Sequence, residues 1–331
     1  MWNDIDKFIN TYDAFLIVGH VHPDGDSIGS QMALKLFLED RDKTAIVANA
    51  SPTPDSLSFL DPDNEIVDCS DGPKPELLES VDAVFILDLN NWEQLATLGR
   101  PIEQSSLPRV CIDHHENPVE GFADTMRSDP GAAATGILIY ELIAALDGTF
   151  SRAMVDALYT AIITDTGTFR FSNTNARTFT TAAALAGHGA DPFELHRRVF
   201  GNKTWGTGRL LGPVTSTVNS AADGRLAWII ATQEMVNKAQ ATYGDMDGFA
   251  DLIRAIKGVE LVLFFKEVPE GKVRMSLRSN GNVNAYSIAH HFGGGGHKMA
   301  AAARLDGPVD DAVKRAVDVC MQMDGIRTAP E

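Results

Sequence analysis

At 331 residues the chain holds roughly two domains and enough interior for a real core. Its 44% hydrophobic and 22% charged content is that of an ordinary globular protein, and no apolar run nears the roughly 20 residues that a membrane helix needs. Lys and Arg total 28 against 45 Asp and Glu, a net charge of −17, which repels long duplex DNA unless cations are gathered locally.

Along the chain, short apolar runs alternate with helical patterns. Residues 14–19 read as a strand, 27–41 as an amphipathic helix and 44–48 as the next strand; 81–87 and 109–112 continue the series. Near-continuous apolar strands separated by helices mark a mainly parallel sheet covered on both faces, with ligands gathering at the carboxyl ends of the strands. From 130 to about 219 the pattern is almost wholly helical. After Gly224 strands return at 225–231, 259–266 and 272–278, with helices near 248–256, 284–292 and 308–323. The expected fold class is therefore α/β: an N-terminal domain over 1–200, a helical connector over 201–222, and a smaller α/β domain over 223–331. The first 222 residues carry 15 basic and 31 acidic side chains, the remainder 13 and 14, so the two parts are built for different tasks. Cys69, Cys111 and Cys320 are too scattered for a disulfide frame or thiolate zinc site. With no signal or transit pattern in the opening residues, a reducing cytoplasm is the expected location.

The first strand runs into His20-Val21-His22-Pro23-Asp24-Gly25-Asp26, where Pro23 and Gly25 turn the chain so that neighbouring side chains can face one ion. The plain alternative is a helix N-cap at Asp26 or Ser27. Three further apolar runs end in acid or imidazole: at Asp88, at Asp113-His114-His115 and at Asp165. Carboxylates buried side by side require compensating cations. Asp24, Asp26, Asp88 and Asp165 sum to four negative charges, matching two divalent ions, and an Asp/His donor set without cysteine favours Mn²⁺, with Mg²⁺ the alternative.

H-x-x-x-D-x-D at 20–26, the strand-end Asp88, Asp113-His114-His115 and Thr164-Asp-Thr-Gly-Thr-Phe-Arg-Phe171 resemble the ordered motifs of the DHH phosphoesterase superfamily. Met275-Ser-Leu-Arg278-Ser279, Asn282-Val-Asn284 and Phe292-Gly-Gly-Gly-Gly-His297 are similar to its DHH-associated C-terminal domain, and the group most resembled is the NrnA-type oligoribonuclease and pAp phosphatase proteins. The resemblance implies one metal held by His20, Asp24 and Asp88, a second held by Asp26, Asp88, His114 and Asp165, and a catalytic cleft between the domains. Asp88 and His115 would be the catalytic groups: Asp88 bridges two ions that activate a shared hydroxide, and His115 binds or protonates the phosphoryl oxygens. Asp113 is implied to position rather than ligate, and His22 has no place in the motif. Arg278, Gly294, Gly295, Gly296 and His297 would bind substrate; a glycine run lets backbone N–H groups approach an anion. Leu89-Asn90 after Asp88, and Ala302 where a glycine often stands, depart from the family pattern without removing a ligand.

The activity implied is hydrolysis of short oligoribonucleotides and dinucleotides to mononucleotides, together with 3′-phosphoadenosine 5′-phosphate to AMP. The alternatives are a cyclic- or linear-dinucleotide phosphodiesterase, a pyrophosphatase or exopolyphosphatase, and a nucleotide-binding regulator without turnover. Short RNA or small nucleotides are the expected partners, with no duplex DNA or membrane and with a homodimer allowed. Neither half of the sequence shows a continuous basic track, so activity is expected to fall beyond roughly five nucleotides.

Overall fold

The computed structural model describes residues 2–268, 271–296 and 298–327. It divides into two compact units, Met1–Asn202 and Lys203–Glu331. No helix among the described residues is long and apolar enough to cross a membrane.

The first unit contains strands β1 (Ala14–Val18), β2 (Thr44–Asn49), β3 (Val67–Asp68), β4 (Ala83–Leu87), β5 (Arg109–Asp113) and β6 (Thr125–Ser128). Its helices are α1 (Asn3–Thr11), α2 (Gly25–Glu39), α3 (Pro75–Glu79), α4 (Gly99–Gln104), α5 (Thr135–Ala145), α6 (Arg152–Asp165), α7 (Ala176–Gly187) and α8 (Pro192–Phe200). The six strands form one parallel sheet in the order β3-β2-β1-β4-β5-β6. Every residue of β4 is buried, as expected of a central strand covered on both faces. The chain leaves β1 toward β2 on one side, while β4 flanks β1 on the other, so the crevice beyond their carboxyl ends is a topological switch point.

Helix α2 is nearly all buried, between the sheet and the α5/α6 pair. That close packing requires Gly29, since a Cβ there would collide with the carbonyl oxygen of Ala157 in α6. The helix begins at Gly25 because the Asp24 side chain caps it, Oδ1 accepting from the N–H groups of Asp26 (3.0 Å) and Ser27 (3.1 Å). The cap is thus Asp24, two residues before the Asp26 and three before the Ser27 suggested by the sequence.

The second unit contains β7 (Asn219–Ala221), β8 (Leu226–Ala231), β9 (Leu261–Val268), β10 (Lys272–Ser279), β11 (Gly295–Gly296) and β12 (Ala300–Asp306). Its helices are α9 (Trp205–Thr215), α10 (Gln233–Ala239), α11 (Phe249–Arg254), α12 (Ala285–His291), α13 (Val309–Cys320) and α14 (Asp324–Arg327). The sheet is mixed, ordered β11-β12-β10-β9-β8-β7, with β8 and β9 parallel and the other neighbours antiparallel. Period-two alternation sorts β10: Val273, Met275 and Leu277 enter a core with α12 and α13, and the charged residues face the other way. Helix α9, within the segment read from sequence as a connector, buries Leu210 and Val214 in a core with β8, α10 and α11. The run Ala300–Ala303 is part of strand β12, its Ala301, Ala303 and Leu305 turned inward.

Candidate metal centre and substrate residues

Each carboxyl end of the central strands contributes a polar group to the switch point. Beyond β1, His20 directs Nε2 to 3.4 Å from Asp88 Oδ2 and 3.8 Å from Asp24 Oδ1. The loop carrying it is held by a buried amide pair: Gln31 Nε2 donates to Asn49 Oδ1 (2.8 Å) and Asn49 Nδ2 donates to Gln31 Oε1 (3.0 Å), while the Gly19 N–H also donates to Asn49 Oδ1 (3.3 Å). Beyond β4, Asp88 has φ +64°, a left-handed conformation that Asp tolerates better than most residues. Its Oδ1 accepts from Thr135 Oγ1 at 3.1 Å and lies 3.5 Å from His114 Nε2.

Beyond β5 come Asp113, His114 and His115. His114 Nδ1 lies 3.3 Å from the Ala132 carbonyl oxygen; with the proton on Nδ1 it donates there, leaving Nε2 free for a cation. That Nε2 is 3.3 Å from Asp165 Oδ2 and 3.8 Å from Asp26 Oδ2. Asp26 Oδ2 accepts the Thr135 N–H (2.6 Å), and Oδ1 accepts the Gly136 N–H (2.8 Å) and the Ser30 hydroxyl (3.1 Å). Helix α5 has no side-chain cap of its own, so the Asp26 carboxylate caps it from a distant part of the chain.

The donor atoms fall into three sets that could hold a metal ion: His20, Asp24 and Asp88; Asp26, His114 and Asp165; and Asp88, His114 and His115. The chemistry of these donors fits hard or borderline divalent ions, with carboxylate oxygens and imidazole nitrogens converging and no thiolate among them. The electrostatics fit as well. Burial, then the charges of Asp88 and Asp165, push the Asp26 carboxyl well above the usual range. Burial pushes Asp165 up to about 7, with Asp88 and Asp24 adding to it against His114. Burial opposes charge on His20 and His114, but hydrogen bonds to Asp24 and Asp88 for the former, and to Asp88 for the latter, raise both to about 10. Asp88 is held well below the carboxylate range despite its burial by bonds from His114 and His20. Carboxylates this crowded demand positive charge, and a divalent cation supplies it without a proton.

His115 differs from His114. Its side chain is 44% exposed, and its Nδ1 lies 2.6 Å from Oδ1 of the fully buried Asp113. The Asp113 bond outweighs burial and raises the imidazole above its ordinary value. Asp113 therefore orients His115 from beneath and does not face the cluster through His114. Thr135, Gly136, Ser30, Gln31 and Asn49 had escaped the sequence reading: all but Ser30, which bonds Asp26 one helical turn away, act through a hydrogen bond to a group distant in sequence.

In the second unit, Arg278 donates from Nη1 to the Leu277 carbonyl oxygen (3.0 Å) and is partly exposed. Gly294 spends its N–H on the Ala289 carbonyl oxygen (2.8 Å), so that N–H is not free for an anion. Gly295 and Gly296 pair with Ala302 and Ala301 of β12. A Cβ at 294 would collide with the Ala302 carbonyl oxygen, so this glycine is required by strand packing. His297 lies outside the described residues.

Two family models match this chain: the DHH family N-terminal domain over residues 14–162 and the DHHA1 domain over 227–322. A bifunctional oligoribonuclease and PAP phosphatase NrnA from Thermus thermophilus is 35% identical over 91% of this chain and 87% of its own length. The chain belongs to the DHH family. It is a hydrolase of the DHH phosphoesterase type. The protein of the same name from Bacillus subtilis is 27% identical, covering 92% of this chain and 93% of that protein. Among solved structures, an exopolyphosphatase-related protein from Bacteroides fragilis superposes with TM-score 0.89 at 29% identity, covering 96% of this chain and 95% of the other. The DHH match spans β1 through most of α6 and so includes every cluster residue except Asp165.

Proposed function

We propose that this DHH phosphoesterase hydrolyses short oligoribonucleotides to mononucleotides and converts 3′-phosphoadenosine 5′-phosphate to AMP, with two divalent ions, Mn²⁺ preferred, at the switch point. The observation that carries the reading is the placement of Asp88, whose two oxygens face His20 and His114 on opposite sides. That is the arrangement a shared carboxylate needs: His20 and Asp24 complete one set, and Asp26, His114 and Asp165 the other. The relatives named as oligoribonuclease and PAP phosphatase supply the substrate class. Bound divalent ions supply the Lewis acidity that activates water and offsets charge developing at phosphorus.

The chain's own groups do the rest. The second, buried carboxylate beneath His115 favours its protonated form, suited to hold a phosphoryl oxygen or give a proton to the leaving oxygen. Thr135 fixes the rotamer of Asp88, and the N–H groups opening α5 fix that of Asp26. Arg278, Gly295, Gly296 and His297 are assigned to the nucleotide. The test incubates full-length protein with Mn²⁺ or Mg²⁺ and a panel of RNA dinucleotide, pAp, cyclic dinucleotide and pyrophosphate. Mononucleotide from the dinucleotide and AMP from pAp, fastest with Mn²⁺, are expected. Turnover confined to the cyclic dinucleotide or pyrophosphate, or nucleotide binding with no turnover at all, would overturn the assignment.

A further inference from the structure

The sheet register of the second unit assembles a feature that the linear sequence conceals. Arg274 on β10 lies directly opposite Lys266 on β9 and directly opposite Arg304 on β12. Directly opposed residues of an antiparallel pair share a face, so three cations stand in one row across three strands, about 10 Å from end to end. The row lines a groove of about 640 Å³ that also takes in Lys272, Ser276 and Arg278.

Like charges directly opposed across strands destabilise a sheet, and here the described residues set only the Asp247 charge against Lys266, with no direct ion pair. Among the described residues no carboxylate lies within 4.0 Å of Lys266, Arg274 or Arg304, and none of the three makes a side-chain hydrogen bond. Of the acids in the groove, Asp251 is paired with Arg254 at 3.0 Å, leaving Asp247 against five cations. Lys266 is the most telling member. It is only 9% exposed, sits 4.7 Å over the Phe264 ring, and is pushed below its ordinary value by burial, with Arg274 and Arg278 adding to it against Asp247. A buried ammonium with no ion pair or hydrogen bond of its own is costly, whereas a ligand with adjacent negative charges converts that cost into affinity.

We propose that the row Lys266, Arg274 and Arg304 is an anion-binding site for consecutive backbone phosphates of a single-stranded oligonucleotide longer than two residues. This rests on the oligoribonuclease reading above, and it replaces the sequence-based expectation that no basic track exists. The groove offers little aromatic surface, since Phe264 is buried and the Tyr243 hydroxyl bonds to Gln233 and to the Glu267 carbonyl. Backbone phosphates, one negative charge per linkage, are therefore what it reads, independent of base.

The experiment measures fluorescence anisotropy of labelled, hydrolysis-resistant phosphorothioate RNAs of two and twelve nucleotides on the Mn²⁺-loaded full chain, across a salt series. Each engaged cation contributes about 0.7 to the slope of log K against log salt on a single strand. Lys266→Met/Arg274→Gln/Arg304→Gln should lower the 12-mer slope by about 2 and its affinity at low salt at least tenfold, with a smaller loss on the dinucleotide. Should the triple variant not fold, Arg274→Gln alone, exposed and mid-row, carries the same test with a slope change of about 0.7. An unchanged slope and affinity overturns the site. Displacement of the wild-type 12-mer by inorganic tripolyphosphate at lower concentration than by unlabelled RNA of equal phosphate number assigns the row to free polyphosphate and overturns the oligonucleotide. Wild-type hydrolysis of an ordinary dinucleotide is measured alongside: its absence defeats the oligoribonuclease reading, whatever the row does.

Discussion

Replacing Asp88 by Asn and, separately, by Ala separates its charge from its backbone. Asn keeps the acceptor for Thr135 Oγ1 and keeps a side chain tolerant of φ +64°. It removes the negative charge from between His20 and His114, at 3.4 and 3.5 Å. Loss of a group that merely supports one metal ligand costs ten- to a hundredfold. A carboxylate facing both donor sets compounds two such losses, so turnover on a dinucleotide should fall by at least about 10³, roughly 4 kcal/mol. Ala should be as inactive, and it also bears the cost of a left-handed backbone, about 1–2 kcal/mol. In a unit of this size that lowers the melting temperature by about 2–8 °C relative to Asn. The assays are mononucleotide release, metal content after dialysis by atomic emission, and thermal melting. If the Asn variant keeps a tenth of wild-type activity with its full metal content, the shared-carboxylate argument fails; equal melting of the two variants would refute the backbone argument.

Gly29→Val drives a side chain into the Ala157 carbonyl, so the chain should lose about 1–3 kcal/mol, read by denaturant unfolding; unchanged stability would mean that α2 and α6 can part freely. His20 and His114 are raised to about 10, so their protonated forms stabilise the metal-free fold below about pH 6.5, and that contribution fades as pH rises toward 10. Metal affinity should climb over the same interval, and calorimetry at pH 7.5 in buffers of different ionisation enthalpy should record release of at least about two protons on loading, the raised Asp26 and Asp165 carboxyls adding to the two imidazoles; zero release contradicts the ligand roles. Asp113→Asn removes the main support of the raised His115 pKa, so the alkaline limb of kcat should move to lower pH; an unmoved limb means that His115 does not act in its protonated form. Arg278→Ala should retain metal yet lose roughly 10–100-fold on dinucleotide, the worth of a charge-assisted phosphate contact, and less on bis(p-nitrophenyl) phosphate, which has fewer remote contacts to lose.

How much of this was legible in the sequence depends on the range over which each feature is encoded. The parallel sheet was readable because β1, β4 and β5 are near-continuous apolar runs, and the donors were readable because each such run stops at an acid or imidazole. The start of α2 was misplaced by about two residues because Asp24, Asp26 and Ser27 are all good capping types and only geometry selects among them. Strand β12 was hidden by alanine, a weak β-former, although Ala301, Ala303 and Leu305 alternate correctly. The Asp26 cap on α5 and the cation row were illegible for a different reason. Both depend on pairing between segments far apart in the chain: Asp26 with Thr135, and Lys266 with Arg274 and Arg304. No local pattern encodes such a register.

The position of Asp88 follows from topology more than from any local preference. In the order β2-β1-β4-β5, the loop after β1 carries His20 and the loop after β5 carries His114, and β4 lies between them. A residue continuing β4 in extended conformation would send its side chain to one face of the sheet, which helices cover, and so away from the strand ends. The left-handed turn at Asp88 instead keeps its N–H on the Ile112 carbonyl of β5 (3.1 Å) and turns the carboxylate along the sheet edge, where each oxygen meets one imidazole. The same residues on a sheet with β4 at its margin would place the carboxylate beside one neighbour only. Strand order, a single positive φ and two flanking histidines therefore act together, and a carboxylate shared between two donor sets is the geometric consequence of building this sheet.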